Sequence, residues 1–149
     1  MKKYEFTDQT KNWCGRILHR IRALISFGDV DAGDIGGWIE KEENLSHEGD
    51  AWVYGDAMVY DNARVCDNAR VCGNARVYGD ADVMWISKIG SRNSTTTFFK
   101  SKLGIEVACG CFLGTIDEFE NKVKETHGEN EHAQAYFLAI ALAKLRIKI

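Results

Sequence analysis

Four histidines, five cysteines and a short run of hydroxyls around one arginine are the residues of this chain with chemistry to offer. His19, His47, His127 and His132 share no ligand spacing, and none of Cys14, Cys66, Cys72, Cys109 and Cys111 has the Cys-x-x-Cys pattern of a zinc site. No metal and no cofactor is expected. His47 is the one histidine adjoining the regular part of the chain. Acyl transfer needs a base that takes a proton from an attacking hydroxyl or amine, and His47 is the candidate for it. Ser91-Arg-Asn-Ser-Thr-Thr-Thr97 offers something else. Arg92 can fork onto a phosphate or carboxylate, and Ser94, Thr95, Thr96 and Thr97 can donate hydroxyl bonds. The same run also reads as a β-branched strand, in which Thr96 and Thr97 point opposite ways. Arg20 and Arg22 lie on one face of a strand, as an anion-binding strip or as a solvated basic edge. Cys109 and Cys111 share a strand face and read as buried thiols.

The elements that must position these groups are dominated by one repeat. Residues 49–84 read GDAWVY GDAMVY DNARVC DNARVC GNARVY GDADVM. Alanine recurs at 51, 57, 63, 69, 75 and 81, and valine two places after each. Side chains two apart on a strand share a face, so the pairs line one interior, and small plus β-branched suits a narrow dry one. Gly-Asp, Asp-Asn and Gly-Asn tolerate left-handed angles and turn the corners. A strict period of six predicts a stacked parallel β-helix. The register extends forwards to Ile89 and Thr95, and backwards to Leu45 and Ile39 across a two-residue insertion in 46–48. Stacked three to a turn, as the resemblance of this phrase to the hexapeptide-repeat proteins implies, the hexads set Trp38, Met58, Arg76 and Ser94 outward, Trp52 over Arg70, Tyr54 over Cys72 and Tyr60 over Tyr78. A lone chain would leave these aromatic groups wet, which predicts a homotrimer through Trp38, Trp52, Tyr54, Met58, Tyr60, Arg76 and Tyr78.

Residues 1–29 form a small β element, with strands at Tyr4–Phe6 and Arg16–Ile25. The β-helix occupies 30–94. Residues 95–149 form a ββαα cap: a hairpin over Thr95–Lys100 and Ile105–Phe112, then two helices. Thr115-Ile-Asp-Glu118 is a capping box for the first helix, and Asn130 caps the second.

The hexad phrase resembles the hexapeptide-repeat proteins. That resemblance implies a left-handed helix of triangular section, about three to four coils here, commonly trimeric and most often acyl-transferring. Gly36-Gly-Trp-Ile-Glu, Asn44-Leu-Ser-His-Glu-Gly and the Asn-Ala-Arg-Val repeats are further similar to phage and prophage members of that group. The family's long substrate loop is missing, and the repeats contain no histidine.

Net charge −3 and pI about 5.8 argue against non-specific nucleic-acid binding. No segment is apolar for long enough to span a membrane, and the start lacks a signal peptide's apolar stretch. An odd number of cysteines suits reduced thiols in a cytoplasm, here that of an infected or lysogenic bacterial host. The expectation is a phage-type protein that binds rather than turns over, sequestering a small anionic, nucleotide-like signalling molecule as an anti-defence protein. An acyltransferase using His47 and a structural phage trimer are the alternatives.

Overall fold

A computed structural model describes residues 2–149. It is a mixed α/β fold with several sheets and two C-terminal helices. Strands β1 (Tyr4–Trp13) and β2 (Arg16–Ala23) form an antiparallel hairpin. The repeat supplies β3 (Ile35–Ile39), β4 (Trp52–Val53), β5 (Met58–Val59), β6 (Arg70–Val71) and β7 (Arg76–Val77). An antiparallel sheet follows: β8 (Val83–Ile89), β9 (Ser94–Ser101), β10 (Gly104–Cys109) and β11 (Phe112–Thr115). Helices α1 (Ile116–His127) and α2 (Glu131–Arg146) complete the chain.

The hexads stack in parallel. Met58 pairs with Arg76, and Trp52 with Arg70, each a step of eighteen residues. Trp38 pairs with Met58, and Leu45 with Val65, each a step of twenty. The two extra residues are the insertion expected at 46–48, absorbed inside the first turn of chain. Ala51, Ala57, Ala63, Ala69 and Ala75 are fully buried together with Val53, Val59, Val71 and Val77. The corners follow the same rhythm: Gly49, Gly55, Asp61, Asp67 and Gly73 all have left-handed backbone angles. At Gly49 a side chain has no room, because a Cβ would sit 2.5 Å from the Asp67 carbonyl oxygen.

The rhythm stops earlier than a three-to-four-coil stack requires. Gly79 is not left-handed, Asp82 accepts from the Gly79 amide at 2.9 Å, and residues 80–82 wind into a 3-10 turn that leaves Ala81 exposed. Ile89 and Thr95 therefore do not extend the repeat. They lie on β8 and β9, which pair antiparallel.

The N-terminal hairpin is longer and tighter than expected. A two-residue turn at Cys14-Gly15, both at positive φ, replaces the connection expected over 8–15. The hairpin lies along the outer face of the repeat. Leu18 is fully buried against Met58 and Tyr60, and Trp13 and Trp38 flank them. Trp52 is enclosed by Tyr4 and Phe27. The aromatic face assigned to a homotrimer is thus largely covered by the chain itself. Trp52, Met58 and Tyr60 are buried without a second copy, and Trp38, Tyr54 and Arg76 are half-buried. Tyr78 stays exposed, stacked on Tyr60 at 5.5 Å. The physical ground for a trimer through these residues is gone.

Lys3 closes the open end of the stack. It is 1% exposed, and its Nζ donates to the Ala51 carbonyl at 2.7 Å and the Gly49 carbonyl at 3.3 Å, over the Phe27 ring. Burial lowers its pKa to about 8, with Asp50 opposing. The folded chain releases this proton more easily than the unfolded one. Stability therefore rises with pH once pH passes about 8. Tyr4 and Tyr54, whose pKa values burial raises, reverse that slope once unfolded tyrosine ionises near pH ~10. Urea melts between pH ~8 and ~9.5 should show the rise in the native chain and none in Lys3→Met, which is also weaker by about 1–3 kcal/mol through two unpaired carbonyls. An equal rise in both chains would refute the assignment.

Candidate functional site

A concavity of about 440 Å³ lies between the antiparallel sheet and the helix pair. Two turns and two helices build it. The β8–β9 turn brings Ser91, Arg92 and Ser94, and the β10–β11 turn brings Cys109, Gly110 and Cys111. From α1 come Phe119, Lys122, Val123 and His127, and from α2 Tyr136. Helix α1 starts where the capping box places it. Thr115 Oγ1 accepts from the Glu118 amide at 3.2 Å, and Glu118 Oε1 accepts from the Thr115 amide at 2.8 Å. Asn130 caps α2 by accepting from the Ala133 amide at 2.9 Å.

Apolar and polar walls are separated. Phe112, Phe119 and Val123 form the apolar side, and Phe119 meets Tyr136 edge to face at 5.4 Å. The Tyr136 hydroxyl lies 3.7 Å from Cys109 Sγ, which also accepts from Thr96 Oγ1 at 3.3 Å. Burial, reinforced by Cys109, pushes the Tyr136 phenol up to about 12, so it stays a neutral donor. Gly90 makes room for it, since a Cβ there would lie 2.0 Å from the Tyr136 oxygen. His127 stacks on Tyr136 at 5.9 Å and lies 5.5 Å from His132. Among the described residues neither His127 ring nitrogen has a hydrogen-bond partner. Arg92 and Lys122 place two cations on the same cavity, and neither has an ion-pair partner among the described residues.

The anion-binding run splits here. Arg92 and Ser94 line the cavity, but Thr95, Thr96 and Thr97 do not. Thr95 bonds Ser87 at 2.9 Å, and Thr96 is buried against Cys109. Thr97 is buried and accepts from the Arg70 amide at 2.9 Å, a donor that the next turn of a longer stack would have used. Arg20 lies over the Trp38 ring, and Arg22 is paired with Glu5, both far from this cavity. Sequence reasoning missed Lys122, His127 and Tyr136. Their signal was faint: α1 carries Lys122 and His127 beside the buried stripe Phe119 and Val123.

His47 lies elsewhere, at the two-residue insertion. Its ring stacks on Tyr4 at 4.1 Å. The Lys3 amide donates to Nδ1 at 3.0 Å, so Nε2 carries the proton and donates to Glu42 Oε1 at 2.9 Å. That bond, with Lys2 nearby, holds the Glu42 carboxyl below its usual range. A carboxylate orienting a histidine is the arrangement of a general base. Here the nitrogen that would accept the proton is already occupied.

Among the described residues no group of three or more His, Cys, Asp and Glu is placed to hold a metal, and no helix is long and apolar enough to cross a membrane.

Comparison with known proteins adds two findings. The family described as "YdcK Beta solenoid repeat" matches residues 51–67, 63–79 and 69–83. The "Uncharacterized acetyltransferase YdcK" of Escherichia coli (strain K12) is 34% identical over 62 residues, covering 36% of this chain and 19% of the relative. The chain thus spans about a fifth of the length of the curated relative that it matches. This likeness corrects the expectation of a non-catalytic, nucleotide-sequestering phage protein: the relative bears an enzyme's name, and neither finding concerns a phage. The chain shares partial, distant homology with β-solenoid repeat proteins of the YdcK type.

Proposed function

We propose that this chain transfers an acyl group from a phosphate-bearing thioester, such as acetyl-CoA, to a hydroxyl or amine, in the cavity beneath α1. The reaction class is supported by the acetyltransferase relative, of which the chain covers only 19%. The placement is carried by one observation: a histidine with two free ring nitrogens shares a cavity with two unpaired cations and an apolar wall. His127 takes the proton of the acceptor as its nitrogen or oxygen attacks the thioester carbonyl. The carbon–sulfur bond breaks, and the departing thiolate recovers that proton. Arg92 and Lys122 hold the donor's phosphates, and Phe112 and Phe119 take the acyl chain. In the same proposal the stacked turns wind left-handed on a triangular section, residues 1–29, 30–94 and 95–149 are the N-terminal β element, the repeat and the cap of one packed body, and the ββαα end stoppers the stack. The free cysteines favour a reducing, cytoplasmic setting.

Thiol release from acetyl-CoA, measured over a panel of amines and sugars, tests it. His127→Asn should lower kcat by about 10²–10⁴-fold and leave donor binding intact. Arg92→Ala should weaken donor binding by roughly 10-fold or more. Turnover that survives His127→Asn but disappears in His47→Asn would move the site to the Glu42–His47 pair. Absence of donor binding at millimolar concentration would end the proposal.

A further inference from the structure

Helix α2 is apolar on two faces. Tyr136, Ala139, Ile140 and Ala143 are buried against α1 and the sheet. Leu138, Leu142 and Leu145, four and three residues apart, form a second stripe and are 74%, 44% and 63% exposed. A helix hydrophobic all round belongs in an interior. A leucine stripe at this spacing is the pattern of a helix that packs on another helix.

The charges identify the other helix. Glu129 and Glu131 stand at the start of α2, and Arg146 and Lys148 at its end. Among the described residues none of these four is in an ion pair, whereas Lys144 is taken by Asp117 and Glu120 of its own chain. An antiparallel pair of identical α2 helices sets the acidic start of each against the basic end of the other. It also aligns the two helix dipoles favourably. Setting Leu138 against Leu142 of the second copy puts Leu145 opposite Ala135, and Lys148 one residue from Glu131. Such a surface is self-complementary, as a two-fold interface requires. A hollow of about 320 Å³ bordered by Leu142, Arg146 and Met84 lies beside the stripe and leaves room for an incoming leucine.

We propose that this chain forms a two-fold dimer through an antiparallel α2–α2 contact, built on Leu138, Leu142 and Leu145. Sedimentation equilibrium of the full chain should give twice the 16.8 kDa of one copy. Leu138→Glu/Leu145→Glu should sediment as a monomer with an unchanged circular-dichroism spectrum, since both side chains are exposed. Glu131→Lys should weaken the dimer by about 10-fold or more, and adding Arg146→Glu and Lys148→Glu should restore it. A native chain that stays monomeric at about 100 μM, well above the Kd of a stable dimer, would mean that another segment or partner covers α2, and would overturn the proposal. So would a larger oligomer indifferent to Leu138→Glu/Leu145→Glu, or a charge-reversed chain no tighter than Glu131→Lys alone.

Discussion

Val59→Asp abolishes the folded state. Val59 is fully buried and sits in the middle of its row, paired with Ile39 before it and Val77 after it. The core cluster it belongs to is built chiefly of buried alanines and valines with Ile39 and Leu45, whose side chains offer a carboxylate no hydrogen bond. The group is then either ionised in a dry interior, or protonated and still without partners. Either way the loss exceeds about 4 kcal/mol, out of a total near 5–15 kcal/mol for a domain of this size. Two-face pairing adds to the damage, because a strand of two residues cannot shift without breaking the pairs on both sides. Urea titration should show no cooperative transition. Arg64→Asp, on an exposed outward position one residue before Val65, should move the midpoint by less than about 0.5 kcal/mol. A cooperative melt in Val59→Asp would show that the valines do not face a closed interior.

Asn44→Leu is the second large loss, and it comes from a polar residue. Asn44 is fully buried, and its amide is completely used. The oxygen accepts from the Lys41 and Glu40 amides at 2.9 and 3.2 Å. The nitrogen donates to the Ala63 and Asp61 carbonyls at 2.9 and 3.2 Å. Its backbone carbonyl accepts from Val65 at 2.9 Å. The residue therefore ties the first turn of chain to the second at the corner where the two extra residues are inserted. Leucine has similar volume and no hydrogen bonds, so the Lys41 amide and the Asp61 and Ala63 carbonyls lose their partners, while the Glu40 amide keeps the Val59 carbonyl at 3.2 Å. At roughly 1–3 kcal/mol for each buried group left unpaired, the loss is about 4 kcal/mol or more even if some reach water. Asn44→Asp keeps the acceptor but turns the donor into a second acceptor facing two carbonyls, and it should be nearly as harmful. Equilibrium unfolding reads both. A change under about 1 kcal/mol in Asn44→Leu would mean that water replaces the amide at every partner.

The contrast between these two residues explains how much was visible in the chain before its structure. Val59 belongs to a pattern repeated six times, and interior and corners follow from a period of six, while the eighteen-residue pairing came from the resemblance to hexapeptide-repeat proteins. The helices were readable for the same local reason: Thr115, Glu118 and Asn130 announce their own caps. Asn44 belongs to no pattern. Its role depends on which carbonyls lie across the stack, which spacing along the chain does not reveal. The end of the repeat was misjudged because Ile89 and Thr95 keep the apolar spacing, while the decision is made by Asp82 capturing the Gly79 amide. The outer aromatic face was misjudged because periodicity describes one element at a time. It could not show that the hairpin ending at Ala23 would lie across Met58 and Tyr60. The cavity was half legible. Arg92 and Ser94 stand out by composition, but His127, Lys122 and Tyr136 reach it only through the packing of two helices on a sheet.

Stacked parallel turns are in principle endless, since each storey leaves a row of amides and carbonyls for the next. This molecule spends side chains to stop that growth at either end. At one end the Lys3 ammonium satisfies the Gly49 and Ala51 carbonyls. At the other the Thr97 hydroxyl satisfies the Arg70 amide, and the Asn74 carbonyl accepts from Lys102. The consequence is colloidal. With its sticky termini occupied, the repeat is a finite block rather than the seed of a filament.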